Sequence, residues 1–297
     1  MRLFKTVLEM SAFSKKARLN GKSIGLVPTM GYLHEGHLSL VKASIDSSDL
    51  TVVSIFVNPV QFGKNEDLAK YPRNMKRDLA LLKKAGVDVV FAPEVSEMYP
   101  NGYITYVSPQ GGLEGLLEGE IRPGHFRGVM TVVAKLLNIT EPDKAFFGQK
   151  DAQQCLIIKK LVRDLNFKAE ILILPTVREA DGLAKSSRNS YLDAKERVTA
   201  PAIYKALQIA QQMINLGERN PAVVIAGMRR LIGCEKNIKI EYAVITDPET
   251  LQPVSSIDGR VLALVAARVG KTRLIDNILI DRKVGSHHRR KNAKTHV

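Results

Sequence analysis

The stretch VPTMGYLHEGHLSL, residues 27–40, decides the fold. An apolar run over 24–27 leads into Pro28-Thr29-Met30-Gly31, a turn that stops a strand. Leu38, Leu40, Val41 and Ile45 then recur at helical spacing. Strand, turn and helix together put His34 and His37 at a helix start. Unpaired backbone N–H groups and a positive partial charge there favour an anion such as phosphate. The two imidazoles are three residues apart and can face the same way. Gly31 and Gly36 let backbone and ligand approach closely. A single histidine beside a helix cap is more often a satisfied surface residue. Here His34, His37 and His125 all sit in glycine-flanked turns, while His287, His288 and His296 fall in a basic tail. That distribution favours a phosphate site.

Working outward, residues 51–57 (TVVSIFV) and 87–92 are apolar throughout, the pattern of strands buried on both faces of a parallel sheet. Between them, residues 73–85 read as a helix. Residues 1–23 suggest a short strand and a basic amphipathic helix. The alternation predicts a doubly wound, Rossmann-like α/β sheet with ligands outside the carboxyl ends of its strands. His34/His37 and Asn58/Gln61 should therefore share one crevice. Residues 93–127 are broken by proline and glycine and read as a loop or lid. Helix 128–140, strand 144–147, helix 151–165 and strand 170–174 continue the pattern. After Pro175 come a polar turn-rich stretch (177–189), helices over 194–216 and 221–232, and strands over 238–245, 261–269 and 273–280. These predict a smaller C-terminal α+β domain. The expected division is 1–176, 177–283, and a basic, disordered tail over 284–297.

Length suits one large or two moderate domains, and 45% hydrophobic with 25% charged residues is ordinary for a soluble globular chain. No apolar run approaches the roughly 20 residues of a membrane span, and the N-terminus lacks a signal-peptide pattern. Cys155 and Cys234 are too few for a disulfide framework and lack metal-type spacing. A reduced, cytoplasmic protein is expected. The net charge of +14 raises nucleic acid as a partner, yet six of those charges lie between residues 282 and 297, in or just before the tail: Arg282, Lys283, Arg289, Arg290, Lys291 and Lys294. No basic stripe interleaved with aromatics is present, so nucleic acid is an unlikely partner, through the tail alone.

Lys150 and Asp151 follow Gly148 just past a strand. Lys150 could reach phosphate oxygens, and Asp151 could cap the next helix or bind a metal through water. Ser186, Ser187 and Arg188, beside Lys185, offer short donors and a planar fork, the parts of a phosphate clamp; such a run is also commonly just a polar loop. Asn58, Gln61 and Gln154 are amides suited to hydroxyl and carboxylate groups. There is no Walker loop, no G-x-G-x-x-G after the first strand, no G-x-S-x-G elbow and no cysteine beside a base, so covalent catalysis is not indicated.

The segment PTMGYLHEGHLSL resembles the H-x-G-H signature of the nucleotidylyltransferase superfamily. Together with FVNPVQF (56–62), YPR (71–73), RPGHFRGV (122–129), FGQKDAQQ (147–154) and SSRNSYL (186–192), the chain resembles the pantothenate synthetases from about residue 1 to 283. The resemblance implies ATP-dependent condensation of pantoate with β-alanine to pantothenate, AMP and pyrophosphate, through pantoyl adenylate. It implies that His34 and His37 contact ATP, with His37 the assigned acid. Met30 and Gly31 border the substrates, and Lys150 bridges the phosphates and the reacting carboxylate. Gly148, Gln149 and Asp151 touch adenosine, and Val177 the adenine. Lys185, Ser186, Ser187 and Arg188 close over the phosphates. Asn58, Gln61, Arg122 and Gln154 belong with pantoate or β-alanine, Asp78 with Mg²⁺ carried on ATP, and a homodimer is implied. One departure stands out: the family usually has an apolar residue where this chain has Lys185. A related nucleotidylyltransferase would account for one of the six motifs. A nucleic-acid-binding protein would account for the tail only.

Overall fold

The computed structural model describes residues 1–64 and 66–281; the expected basic tail lies outside them. In chain order the elements are β1 (Arg2–Phe4), α1 (Val7–Leu19), β2 (Ile24–Thr29), α2 (Glu35–Ser47), β3 (Leu50–Ile55), α3 (Met75–Ala85) and β4 (Val89–Phe91). Two single-turn helices follow, α4 (Val95–Met98) and α5 (Glu118–Ile121), then α6 (His125–Thr140), β5 (Lys144–Gly148), α7 (Ala152–Asp164) and β6 (Glu170–Leu174). The C-terminal part adds α8 (Ala194–Thr199), α9 (Ala202–Asn215), α10 (Pro221–Gly233), β7 (Ile238–Thr246), β8 (Val261–Val269) and β9 (Thr272–Ile280).

Among the described residues the strands form two sheets. The first is six-stranded, in the order β1-β4-β3-β2-β5-β6, with its pairs parallel. Leu26, Val52, Val89, Phe91, Ala145 and Phe147 pack on the side of α1, α6 and α7. Val27, Val53, Ile55, Val90 and Phe146 pack on the side of α2 and α3. Burial on both faces is why these strands read as unbroken apolar runs. From β2 the chain builds outward through β3 and β4, then returns to lay β5 on the other flank of β2. That reversal opens a crevice at the carboxyl ends of β2 and β5, where doubly wound sheets bind ligands.

The second sheet, β7-β8-β9, is antiparallel. One face packs on α9 and α10 through residues such as Ile203, Leu207, Val224 and Met228. The other face meets the first unit, with Tyr242, Leu262 and Leu264 in one apolar cluster with Ala152, Leu116 and Leu156. Element types match the sequence reading, with differences at boundaries. The single helix expected over 194–216 is two, because Pro201 lacks an N–H and ends the ladder. The helix expected from 128 begins at His125, after Gly124 at φ +80°. The strands expected over 51–57 and 87–92 are shorter. No helix among the described residues is long and apolar enough to cross a membrane.

Candidate active site

A cavity of about 240 Å³ opens at that crevice. Its first wall is the β2–α2 turn. Thr29 Oγ1 donates to the Ser54 carbonyl (2.7 Å) and accepts from Gly31 N (3.2 Å), turning the chain out of the sheet. Gly31 (φ +81°) and Tyr32 (φ +50°) take left-handed backbone conformations. Asp78 on α3 holds the turn, its carboxylate accepting from Tyr32 N (2.8 Å) and Leu33 N (2.9 Å). Asp78 is 1% exposed and does not line the cavity. The metal contact expected of it is therefore corrected: its oxygens staple backbone.

His34 caps α2, and the two histidines cap reciprocally. Gly36 N donates to His34 Nδ1 (3.1 Å), and His34 N donates to His37 Nδ1 (3.3 Å). The ring centroids are 4.1 Å apart. A Cβ on residue 36 would lie 2.9 Å from the His34 ring, so only glycine lets that ring fold back. Burial, reinforced by the Lys150 charge, lowers His34 to about 4. Burial, with His34 and then Lys150, lowers His37 to about 3. Both rings are neutral near pH 7. Because each Nδ1 accepts, each proton must sit on Nε2. The helix start thus presents two fixed N–H donors rather than two cations.

The second wall is the turn after β3. Asn58 is 1% exposed and its amide is fully engaged. Its Oδ1 accepts from Tyr99 OH (2.8 Å) and Val60 N (3.3 Å), and its Nδ2 donates to Gly128 O and Gln61 Oε1 (3.1 Å each). Asn58 thus lines the cavity beside Gln61 and orients it, while its own amide is taken up within the protein, so its part in the pantoate site is to position Gln61. With Oε1 taken, Gln61 offers its NH₂ group, 3.4 Å from Met30 Sδ. Helix α6 presses against this turn so closely that a Cβ on Gly128 would lie 2.5 Å from the Gln61 backbone. His125 Nδ1 lies 2.9 Å from the Gln61 carbonyl, and its Nε2 lies 3.1 Å from Arg122 Nη1. Arginine can only donate, so Nε2 accepts and Nδ1 carries the proton to the carbonyl. Burial and then Arg122 lower His125 to about 4.

Past β5, Gly148, Lys150, Asp151 and Gln154 line the cavity. Lys150 Nζ is 3.7 Å from Asp151. Asn277 of β9 donates to the carbonyls of Gln149 (3.0 Å) and Lys150 (2.9 Å) and accepts from Gln149 Nε2 (3.1 Å). The C-terminal sheet thereby pins the turn that carries Lys150. Gln149 points into this anchor, which corrects the ligand contact expected of its side chain; Gly31, expected to border the substrates through its backbone, follows Met30 and lies outside the cavity lining.

Val177, Lys185, Ser186, Ser187 and Arg188 form the roof. Arg178 holds their hairpin to β9 through Asp276 (2.6 and 3.1 Å). Ser186 Oγ accepts from Arg188 N (3.3 Å), and Ser187 Oγ lies 3.4 Å from the Tyr32 carbonyl. Both cavity arginines are occupied by neighbouring carboxylates: Arg122 by Glu66 (2.8 and 2.6 Å) and Arg188 by Asp67 (3.0 and 2.9 Å). Burial opposes ionisation of Glu66 and Asp67, but the guanidinium partners prevail and hold both below their ordinary values.

With this geometry in view, comparison with known proteins is decisive. Residues 2–279 match the pantoate-β-alanine ligase family. The chain belongs to that family. Pantothenate synthetase from Moorella thermoacetica is 54% identical over 281 residues, covering 95% of this chain and 99% of the relative. A crystal structure of the Thermus thermophilus pantothenate synthetase aligns with TM-score 0.89 and 45% identity over 94% of this chain and 99% of that one. The Francisella tularensis pantoate-β-alanine ligase, complexed with β-γ ATP and β-alanine, aligns with TM-score 0.78 and 34% identity, covering 94% and 97%.

For this family member the structure brings Met30, His34, His37, Asn58, Gln61, Arg122, Gly148, Lys150, Asp151, Gln154, Val177, Lys185, Ser186, Ser187 and Arg188 around one cavity, and leaves out Gly31, Gln149 and Asp78. Sequence reasoning missed Tyr99, Asn277, Glu66 and Asp67, which carry no local motif. It noted His125 only as a glycine-flanked histidine. Among the described residues, no group of three or more His, Cys, Asp or Glu side chains is placed to hold a metal ion.

Proposed function

We propose that this chain condenses pantoate with β-alanine at the expense of ATP. In the first step a pantoate carboxylate oxygen attacks the α-phosphorus. The bond to the bridging oxygen breaks, and pyrophosphate leaves. In the second, the β-alanine amine attacks the acyl carbon of pantoyl adenylate, the carbon–oxygen bond breaks, AMP leaves and the nitrogen loses a proton. The observation that carries this reading is the convergence of neutral His34 and His37, the Lys150 ammonium and the Gln61 amide on one cavity. Charge shifts onto phosphate oxygens in the first step, and donors already in place stabilise it without reorganising.

In this reading the Nε2–H groups of His34 and His37 and the Lys150 ammonium face the phosphates, with His37 a neutral hydrogen-bond donor to the developing charge in place of the proton-giving acid that the resemblance implies. Ser186, Ser187 and Arg188 close from the roof. Gly148, Asp151 and Val177 border the nucleoside, with Met30 between the substrates. Gln61 offers its NH₂ to pantoate, aided by Gln154. Arg122 suits the β-alanine carboxylate, in exchange for Glu66. Mg²⁺ would be held mainly by ATP and water, since Asp151 is the sole carboxylate among the described lining residues. There it would neutralise charge on the phosphates. A homodimer is part of the proposal, tested by sedimentation, as is a reduced cytoplasmic setting, which suits the free thiols of Cys155 and Cys234. The function is tested by incubating protein, ATP, Mg²⁺, pantoate and β-alanine. AMP and pantothenate should form in equal amounts; ADP formation, or turnover without pantoate, would refute it.

A further inference from the structure

Lys185 is neither solvated nor free for a ligand. Its Nζ lies 3.0 Å from Glu35 Oε2 and 2.8 Å from Glu179 Oε2, with the side chain 18% exposed. Glu35 is the first residue of α2, between the two histidines. Glu179 belongs to the hairpin leading to Ser186, closed by Lys185 N to Val177 O (2.9 Å) and Glu179 N to Leu183 O (2.8 Å). One ammonium therefore ties the histidine cap to the segment that brings Ser186, Ser187 and Arg188. The nearby Ser187–Tyr32 contact, at 3.4 Å, is long for a hydroxyl bond. Two carboxylates on one ammonium also cancel the field it could offer a phosphate.

We propose that Lys185 is a positioning residue, a latch that registers the 186–188 segment against the His34/His37 cap before ATP binds, and not a ligand of the phosphates. An apolar residue could pack here, but it could not fix the hairpin to Glu35. This inference rests on the proposed function for where ATP sits. It assigns Lys185 a role different from the ATP contact implied by the resemblance.

The two roles differ in sign at Glu35. If Lys185 is a latch, Lys185→Met and Glu35→Gln each raise KM for ATP, by about three- to fivefold, the scale of a partly exposed ion pair. The double variant then gains little over either single one, Lys185→Arg retains most of the wild-type affinity, and raising the salt concentration weakens ATP binding in wild type more than in Lys185→Met. If Lys185 instead grips phosphate and Glu35 restrains it, Glu35→Gln lowers KM for ATP; that result, or an unchanged Lys185→Met, overturns the latch. Urea unfolding midpoints of the variants separate this effect from general loss of structure. Calorimetric titration with ATP alone gives the same ordering of variants independently of turnover. A wild type without pantoate-dependent turnover thus removes the functional reading, while the titration still decides the latch.

Discussion

The β2–α2 wall of the cleft and the wall made by residues 66–73 and 177–191 face the same cavity with different kinds of polar group. In the first, the backbone N–H groups of residues 31–34 and 36 are bound by side chains of the same turn or by a buried carboxylate. His34 and His37 cap each other's backbone, and Asp78 staples the turn between strand and helix. In the second, the cations that line the cavity are matched to carboxylates: Arg188 to Asp67, Lys185 to Glu35 and Glu179, and, beside them, Arg122 to Glu66. The first wall is finished before a ligand arrives. In the second, a ligand anion must compete with the protein's own. A rigid, neutral donor array suits the site where charge develops, and exchangeable ion pairs suit a surface that closes and reopens.

The largest effect should come from breaking the rigid wall without disturbing its cap. An asparagine at position 37 can still accept the His34 amide but has no imidazole. His37→Asn should therefore keep near-wild-type urea stability while lowering kcat by about 10²- to 10³-fold, the usual cost of one transition-state donor. Near-normal turnover would show that the imidazole is only a cap. The same wall predicts an acid dependence. His34, His37 and His125 have native values of about 4, 3 and 4, below the roughly 6.5 of an unfolded histidine. The unfolded chain therefore binds more protons below that pH. The stabilisation from these groups is complete above about pH 6.5 and is lost as pH falls toward the native values, on the order of 2 kcal/mol per histidine by pH 5. Urea titrations at pH 7 and 5 would show it, and His37→Asn should flatten the slope by one proton.

Between the walls lies the anchor of Lys150. Asn277→Ala removes two donors to the Gln149 and Lys150 carbonyls and should cost about 1–3 kcal/mol in unfolding free energy, with a fall in kcat as the Lys150 turn loosens. Full stability and activity would mean that this turn holds itself. The smallest expected effect is on the exchangeable wall and runs opposite in sign. Asp67→Asn frees Arg188 for ATP and should lower KM for ATP by about threefold, the worth of one partly exposed pair. A raised KM would show that Asp67 aims the guanidinium instead of competing for it.

This division also marks what the sequence could reveal. The strand–turn–helix unit, the two histidines, Lys150 and the 186–188 run are legible because their chemistry is local: turn residues, spacing and apolar periodicity lie within a dozen positions. The partners that complete the site are not local. Asp78 reaches Tyr32 across 46 positions, Tyr99 reaches Asn58 across 41, and Asn277 reaches Gln149 across 128. Nothing in Asp78's surroundings in the sequence distinguishes a metal carboxylate from a backbone staple; only its burial does. Asn58 likewise reads as a ligand amide until Tyr99 and Gly128 are seen to use up its atoms. Pro201 stands inside the 194–216 run, and because the apolar period continues on both sides of it, periodicity alone reads one helix where the missing N–H makes two.

The central claim is that the two walls and Lys150 act on one ATP to activate a carboxylate. Exchange of labelled pyrophosphate into ATP tests it most directly, with pantoate present and β-alanine withheld. Exchange should require pantoate and be nearly abolished in His37→Asn. Exchange that proceeds without pantoate, or that appears only when β-alanine is added, would contradict it.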